Sequence, residues 1–228
     1  MCTLMLFRGV TSFLRHNRSH MRQYGRSSTA CSAFQGSVRS TQRKFPVDLE
    51  CIKEDTYAIQ KALGVEDFQV DVWFCSEAKI REMNADWRDK SKSTDVLSFP
   101  ACEFVEPGVM DMDDPALEFD KHLGDIVIAP AYVDRVRLRD HEDHALSAQD
   151  EREEEEEEEE EWEDAGVSKV LAGTFDLQDR YRLLIVHSLV HLVGYDHETP
   201  DEWRAMTTKE DEVLRAIGLL PADAGDEK

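Results

Sequence analysis

The chain lacks the features that define several classes of protein. None of its five cysteines forms a C-x-x-C pair, so neither a zinc ribbon nor a disulfide framework is indicated. No apolar run is long enough to span a membrane, and we expect no membrane partner. The 228 residues carry a net charge of −22, which counts against non-specific binding to nucleic acid because such binding depends on neutralising phosphate charge.

Acidic residues are absent from the first 44 positions, which contain seven arginines and one lysine. Apolar residues alternate there with arginines in a pattern typical of an amphipathic targeting helix, and Arg8 interrupts any apolar core of a secretory signal. The composition predicts a disordered organellar transit peptide over residues 1–44. Its arginine content favours the mitochondrion, with the chloroplast as the alternative.

A second biased segment lies closer to the C-terminus. Nine consecutive glutamates run from Glu153 to Glu161, within a stretch at residues 140–165 that holds 16 acidic residues and one basic residue. Side chains of one sign repel one another and bury nothing, so we expect a solvated insertion in a single domain over residues 45–218, followed by a disordered tail at 219–228. Outside the leader and this insertion the net charge is still −15. Any nucleic-acid function therefore requires a local basic patch.

The spacing of the apolar residues predicts an α+β domain. Alternating apolar positions indicate a strand over residues 68–74; residues 94–100 indicate a short buried strand closed by a proline, and residues 123–129 a further strand. Helical spacing and capping residues indicate five helices, with starts near residues 49, 76, 130, 176 and 199. The helix that begins near Asp176 is apolar almost all round, which is typical of a helix in a core. We expect a small mixed sheet covered by helices, with this helix at the centre and the strand order left open.

His187, His191 and His197 are the candidate metal ligands. Two histidines four residues apart project from one face of a helix, so both rings can reach the same ion. Gly194 ends the helix, and a left-handed turn at a glycine would bring His197 back to that ion. Three histidine ligands with one open position are typical of a catalytic zinc site rather than a structural one. The pattern predicts one divalent metal ion, Zn²⁺.

The spacing H-x-x-x-H-x-x-G-x-x-H is also that of the metal helix in metzincin proteases, which belong to the zincin-like folds. In those enzymes a glutamate follows the first histidine and acts as the general base. Here that residue is Ser188. A serine hydroxyl cannot accept a proton near neutral pH as a carboxylate does, so a zinc peptidase is disfavoured.

A basic cluster follows the second predicted helix. Arg81, Arg88, Lys90 and Lys92 make up the only sizeable group of this kind outside the leader. From composition alone, a solvated loop is the simpler interpretation.

Three segments carry the motifs of one known family, in that family's order. Residues 187–197 resemble its H-G-x-L-H-L-x-G-Y-D-H, with serine at the usual glycine; residues 94–100 match T-D-V-L-S-F-P, preceded by Asn84 and Trp87-Arg88; and residues 123–128 match L-G-D-I-V-I. The chain thus resembles the YbeY endoribonucleases, which mature ribosomal RNA in bacteria and in the organelles derived from them. The resemblance covers about residues 47–218.

The resemblance implies a metal held by the three histidines and Arg88 as the catalytic residue for RNA cleavage. It implies a single-strand-selective endoribonuclease that matures the 3′ end of small-subunit rRNA and acts in ribosome biogenesis and quality control. The implied partners are rRNA, the small ribosomal subunit and its assembly factors. A non-catalytic ribosome-biogenesis factor with a structural metal is the alternative. Asp95 and Asp196 are candidates for the general base, although either could equally orient a ligand imidazole.

Overall fold

A computed structural model describes residues 34–109, 121–147 and 166–221. The described residues form four strands and six helices. The strands are β1 (Gly36–Ser40), β2 (Gln69–Phe74), β3 (Val96–Pro100) and β4 (His122–Ile128). The helices are α1 (Leu49–Leu63), α2 (Glu77–Arg88), α3 (Pro130–Ser147), α4 (Gly166–Ala172), α5 (Leu177–Leu192) and α6 (Pro200–Ala216). The predicted α+β class is confirmed.

The strands form one mixed sheet in the order β1-β2-β4-β3. β1, β2 and β4 run parallel, whereas β3 pairs antiparallel to β4 and lies at the edge. Alternate residues of the central strands, including Val70, Val72 and Ile126, are fully buried on one face of the sheet. They share a single apolar core with residues of α1, α5 and α6.

The helix that carries the histidines lies at the centre of this core, as predicted. Tyr181, Ile185, Leu189 and Leu192 of α5 have no exposed surface. The helix begins where the sequence indicates, because the Asp176 carboxylate accepts the backbone N–H groups of the first turn. A helix buried on this scale holds its side chains rigidly, which favours a precise site at its C-terminal end.

The other predicted helix ends follow from equally local signals. Ser76 accepts the N–H of Lys79 at the start of α2, and Thr199 forms a capping box with Glu202 at the start of α6. Gly64 ends α1 in the left-handed conformation, with φ 71°.

The structure corrects the predicted domain boundaries in three places. Residues 36–40, assigned to a disordered leader, form β1, whose backbone pairs with β2. α3 continues to Ser147, so the helix extends past the predicted start of the insertion at residue 140, and Asp140 itself is buried and bonds Arg180 at 2.5 Å. Leu219, assigned to the tail, is only 6% exposed and packs in the core. Contacts with residues distant in the chain hold each of these segments in place.

Residues 1–33, the glutamate run and residues 222–228 lie outside the described residues, so the disorder predicted for them stays a prediction. Among the helices that the structure describes, none has the length and apolar character needed to cross a bilayer.

Candidate active site

Three histidine rings meet at the C-terminal end of α5. His187 and His191 lie on the last turns of this helix, and His197 lies in the segment that follows it. One nitrogen from each ring lies within 4.8 Å of the others. The ring centroids are 4.6 Å apart for His187 and His191, 5.0 Å for His191 and His197, and 5.7 Å for His187 and His197. The structure therefore brings together the three residues that the sequence pattern selected.

Gly194 makes the return of the chain possible. Its φ is 92°, a conformation that residues with a side chain rarely adopt. An added Cβ would lie 2.9 Å from Cβ of Phe104, so there is also no room for a side chain at this turn. The predicted left-handed turn at this glycine is confirmed.

Hydrogen bonds set the orientation of two of the imidazoles. Nδ1 of His187 lies 2.7 Å from Oε1 of Glu210, and Nδ1 of His191 lies 2.9 Å from the carbonyl oxygen of Tyr195. A carbonyl can only accept, so Nδ1 of His191 carries the proton, and the same assignment follows for His187 when the carboxylate of Glu210 is ionised. Nε2 of each ring then keeps its lone pair, which is the form that binds a metal ion.

Glu210 was not predicted from the sequence as part of the site. It lies on α6, is 3% exposed, and accepts the backbone N–H of Val167 through Oε2 at 2.9 Å while Oε1 faces His187. Gly166 permits this contact, because an added Cβ there would overlap the Glu210 carboxylate. One sequence feature could have predicted its role. Glu210 is an acidic residue on the apolar stripe of α6, between Met206 and Val213, where an acidic side chain requires a buried partner.

Arg88 and His191 line the same cleft, although they lie on different helices. Arg88 is the last residue of α2, and the chain turns directly after it at Asp89, which has a left-handed φ of 54°. The cleft has a volume of about 350 Å³ and is lined by Arg88, Ser98, Pro100, His191, Gly194, Tyr195 and Asp196. Ser98 and Pro100 belong to the edge strand β3, so the cleft lies along this edge of the sheet.

The two candidate bases differ in position. Asp196 lines the cleft, and its Oδ1 accepts the N–H of His197 at 2.8 Å. Asp95 does not line it: its Oδ1 accepts the N–H of Val96 at 2.8 Å and the hydroxyl of Thr94 at 2.9 Å. The described side-chain hydrogen bonds of Asp95 are therefore local to the start of β3.

A second group of possible ligands lies on the sheet. Donor atoms of Asp71, His122 and Asp125 are within 4.8 Å of one another. Ser37 donates its N–H and its hydroxyl to Oδ1 of Asp71, both at 2.7 Å, while Nε2 of His122 lies 3.7 Å from Oδ2. None of these residues lines the cleft that contains Arg88.

The buried position of His191 predicts a pH effect. Burial of the ring and the nearby His187 lower the pKa of His191 from 6.5 to about 4. Since the unfolded chain takes up this proton at higher pH than the folded protein, the contribution to stability is complete above pH 6.5 and is lost as the pH falls to 4. In metal-free protein the free energy of unfolding should decrease across this window by up to about 1.4 kcal/mol per pH unit from this residue.

Chemical denaturation at a series of pH values checks this effect. His191→Gln serves as the matched control, because other groups titrate in the same window and only the difference between the two proteins belongs to His191. An identical dependence of the free energy of unfolding on pH in the two proteins would contradict the prediction.

Comparison with known proteins decides the family. The family described as endoribonuclease YbeY matches residues 38–151 and 167–218, which is most of the chain. The chain belongs to the YbeY family. The family recognised from the three motifs is therefore confirmed.

Curated relatives agree with this assignment. The chain is 33% identical over 165 residues to the endoribonuclease YbeY of Anaeromyxobacter dehalogenans (strain 2CP-C), covering 72% of this chain and 62% of the relative. It is 34% identical over 162 residues to that of Agrobacterium fabrum, covering 70% of each chain. It is 25% identical over 181 residues to that of Homo sapiens, covering 79% of this chain and 87% of the human protein.

Two of the YbeY motifs lie on neighbouring strands, of which β3 lines the cleft. T-D-V-L-S-F-P contains β3 and L-G-D-I-V-I lies in β4, its antiparallel neighbour. Gly124 of the second motif has φ 146°, and an added Cβ would overlap the carbonyl oxygen of Phe99 and lie 2.9 Å from Leu192 on α5. This glycine therefore lets the histidine helix pack directly against the sheet. The match to the family stops at residue 151 and resumes at 167, so the glutamate run lies outside it.

Proposed function

We propose that the protein is a metal-dependent endoribonuclease that cuts single-stranded RNA during maturation of small-subunit rRNA in an organelle. The observation that carries this proposal is that Arg88 lines the same cleft as His191, which belongs to a cluster of three histidines. The relatives named endoribonuclease YbeY support the reaction class.

The donor set fits one divalent ion. Two imidazoles already place their Nδ1 atoms against acceptors, which leaves the Nε2 atoms for ligation, and the all-nitrogen set suits zinc. A bound ion would supply Lewis acidity towards a phosphate oxygen and would activate water. We propose His187, His191 and His197 as its ligands and Zn²⁺ as the ion.

Side chains of the protein would bind the phosphate and accept the proton. Arg88 offers a planar, permanently charged fork of donors that matches two oxygens of a phosphate, so it would fix the scissile group in the cleft. Asp196 is the better placed of the two acids to accept a proton from water, because it lines the cleft and Asp95 does not. Ser188 is fully buried, so its hydroxyl is not available to substrate.

Purified protein should cut a single-stranded oligoribonucleotide and leave a duplex of the same sequence intact. Electrophoresis of end-labelled RNA measures both reactions, with chelator-treated protein as the control. Equal cleavage of both substrates would contradict strand selectivity, and cleavage of neither by fully metal-loaded protein would contradict the activity.

Glu210→Gln should weaken metal binding by about tenfold or more, as is typical when the partner of a ligand imidazole is changed. The amide is a weaker acceptor than the carboxylate and cannot accept from Val167 and His187 as Glu210 does. Competition with a chromophoric chelator measures the dissociation constant, and Glu212→Gln on the exposed side of α6 is the matched control. Unchanged affinity in Glu210→Gln would remove Glu210 from the site.

Organellar import rests on the basic, acid-free leader. Since β1 begins at Gly36, we propose that the targeting segment ends before this strand. Residues 1–35 fused to a fluorescent protein should direct it to mitochondria, with the plastid as the alternative destination. A diffuse cytosolic signal would contradict import. Co-sedimentation with the small ribosomal subunit tests the proposed partner.

A further inference from the structure

Trp87 has the highest exposure of any large apolar side chain among the described residues, with 73% of its surface accessible. An indole ring is among the largest apolar groups in a protein and is usually well buried. Exposed aromatic side chains are the groups on which proteins that bind single-stranded nucleic acid stack the bases.

The position of Trp87 relates it to the cleft. It precedes Arg88 on the last turn of α2, and its ring makes an edge-to-face contact with Phe99 of β3 at a centroid distance of 6.0 Å. The residues on either side of Phe99, Ser98 and Pro100, line the cleft. Trp87 therefore lies at the strand edge that bounds the cleft, next to the arginine that enters it.

The segment after Trp87 is fixed by one buried residue. Asn84 is 4% exposed; its side-chain amide donates to the carbonyl of Lys92 at 2.7 Å, and its backbone carbonyl oxygen accepts the N–H of Lys90 at 3.2 Å. Both lysines are exposed. Residues 81–92 hold four basic and three acidic residues, in a chain whose net charge is −22. The surface around Trp87 is thus a firmly held, locally basic part of an acidic protein.

We propose that Trp87 is a stacking platform for an unpaired base of the RNA strand whose phosphate binds Arg88. This proposal rests on the proposed function and adds the substrate contact that selects single strands. Aromatic side chains stack on any base, but the face of a base is open only when the base is unstacked from its neighbours. In a duplex the base faces are covered by adjacent pairs, so a platform next to Arg88 favours single-stranded RNA.

Equilibrium binding separates stacking from phosphate contacts. The experiment uses metal-free protein in chelator, so that the RNA is not cleaved. Fluorescence anisotropy reports binding of a labelled single-stranded oligoribonucleotide. Inorganic polyphosphate, used as a competitor, supplies phosphate groups without bases. Trp87→Leu should weaken RNA binding by about tenfold and leave polyphosphate binding unchanged, whereas Trp87→Phe should keep most of the affinity for RNA.

Two further measurements make the result specific. Leu138→Ala, which alters an apolar residue of α3 that is 48% exposed, is the matched control and should bind RNA like the wild-type protein. RNA should also quench part of the tryptophan fluorescence of the wild-type protein, and Trp87→Phe should lose this quenching although three other tryptophans remain.

The outcomes distinguish this inference from the proposed function. RNA binding by Trp87→Leu that equals the wild type, in a protein that cleaves RNA, overturns the platform and leaves the nuclease in place. Weakened RNA binding with intact polyphosphate binding supports the platform even if the wild-type protein cuts no RNA. An equal loss of affinity for RNA and for polyphosphate overturns stacking, because the effect then lies in the phosphate contacts.

Discussion

His191→Ala is expected to purify with little bound metal and to lose RNA cleavage. His191 is the middle ligand of the proposed site and also lines the cleft, so its loss leaves two nitrogens and opens a gap beside the substrate. Loss of a hydrogen-bond partner of a ligand typically costs 10–100-fold in metal affinity or activity. Removal of a ligand itself should therefore reduce cleavage by more than about a hundredfold. Elemental analysis of the purified protein and a cleavage assay on the same sample measure both effects.

A matched variant separates this effect from a general loss of stability. His141→Ala removes a histidine from the surface of α3, where its ring contacts Phe175, and should retain both metal and activity. The melting temperatures of both variants in chelator should lie close to that of the wild-type protein. Full metal occupancy in His191→Ala would contradict the three-histidine site.

Arg88→Lys is expected to reduce RNA cleavage by roughly tenfold or more, which corresponds to about 1.4 kcal/mol of transition-state stabilisation. Lysine keeps the positive charge but offers one point of contact where the guanidinium offers two parallel donors. Arg88 is exposed at the end of α2, so the substitution should not alter folding. Single-turnover cleavage at full metal occupancy measures the change.

Arg81→Lys is the control for this variant, because it is an equally conservative change on the same helix at a position that does not line the cleft. Its cleavage rate should match that of the wild-type protein. Cleavage by Arg88→Lys within about twofold of wild type would remove Arg88 from the site and leave the nuclease assignment resting on the histidines.

Local signals in the sequence predicted much of the structure. The caps at Ser76, Asp176 and Thr199 act within one turn of helix, and the turn at Gly194 requires only its own backbone conformation. The histidine pair needs only helical spacing. Such features can be predicted from the sequence because each depends on residues that are close in the chain.

Features that depend on distant residues were not predicted. β1 contains a single buried residue, Val38, and its order comes from pairing with β2, about thirty positions later. α4 is short, and the N–H of its second residue, Val167, donates to Glu210 on another helix. No local pattern reports such pairings, because the partner is chosen by the fold.

Arg88 falls between these two cases. Its charge was evident from the sequence. The sequence pattern alone does not distinguish a basic residue at a helix end that lines a site from one that is only solvated. The family motif selected it, and the structure places it at the end of α2, where it lines the same cleft as His191.

Metal titration of the metal-free protein, with RNA cleavage as the readout, tests the central claim most directly. If the three histidines hold one catalytic ion, cleavage of single-stranded RNA should be absent in chelator, should rise in proportion to added Zn²⁺, and should level off at one equivalent. Cleavage at the full rate by protein shown to contain no metal would contradict the claim.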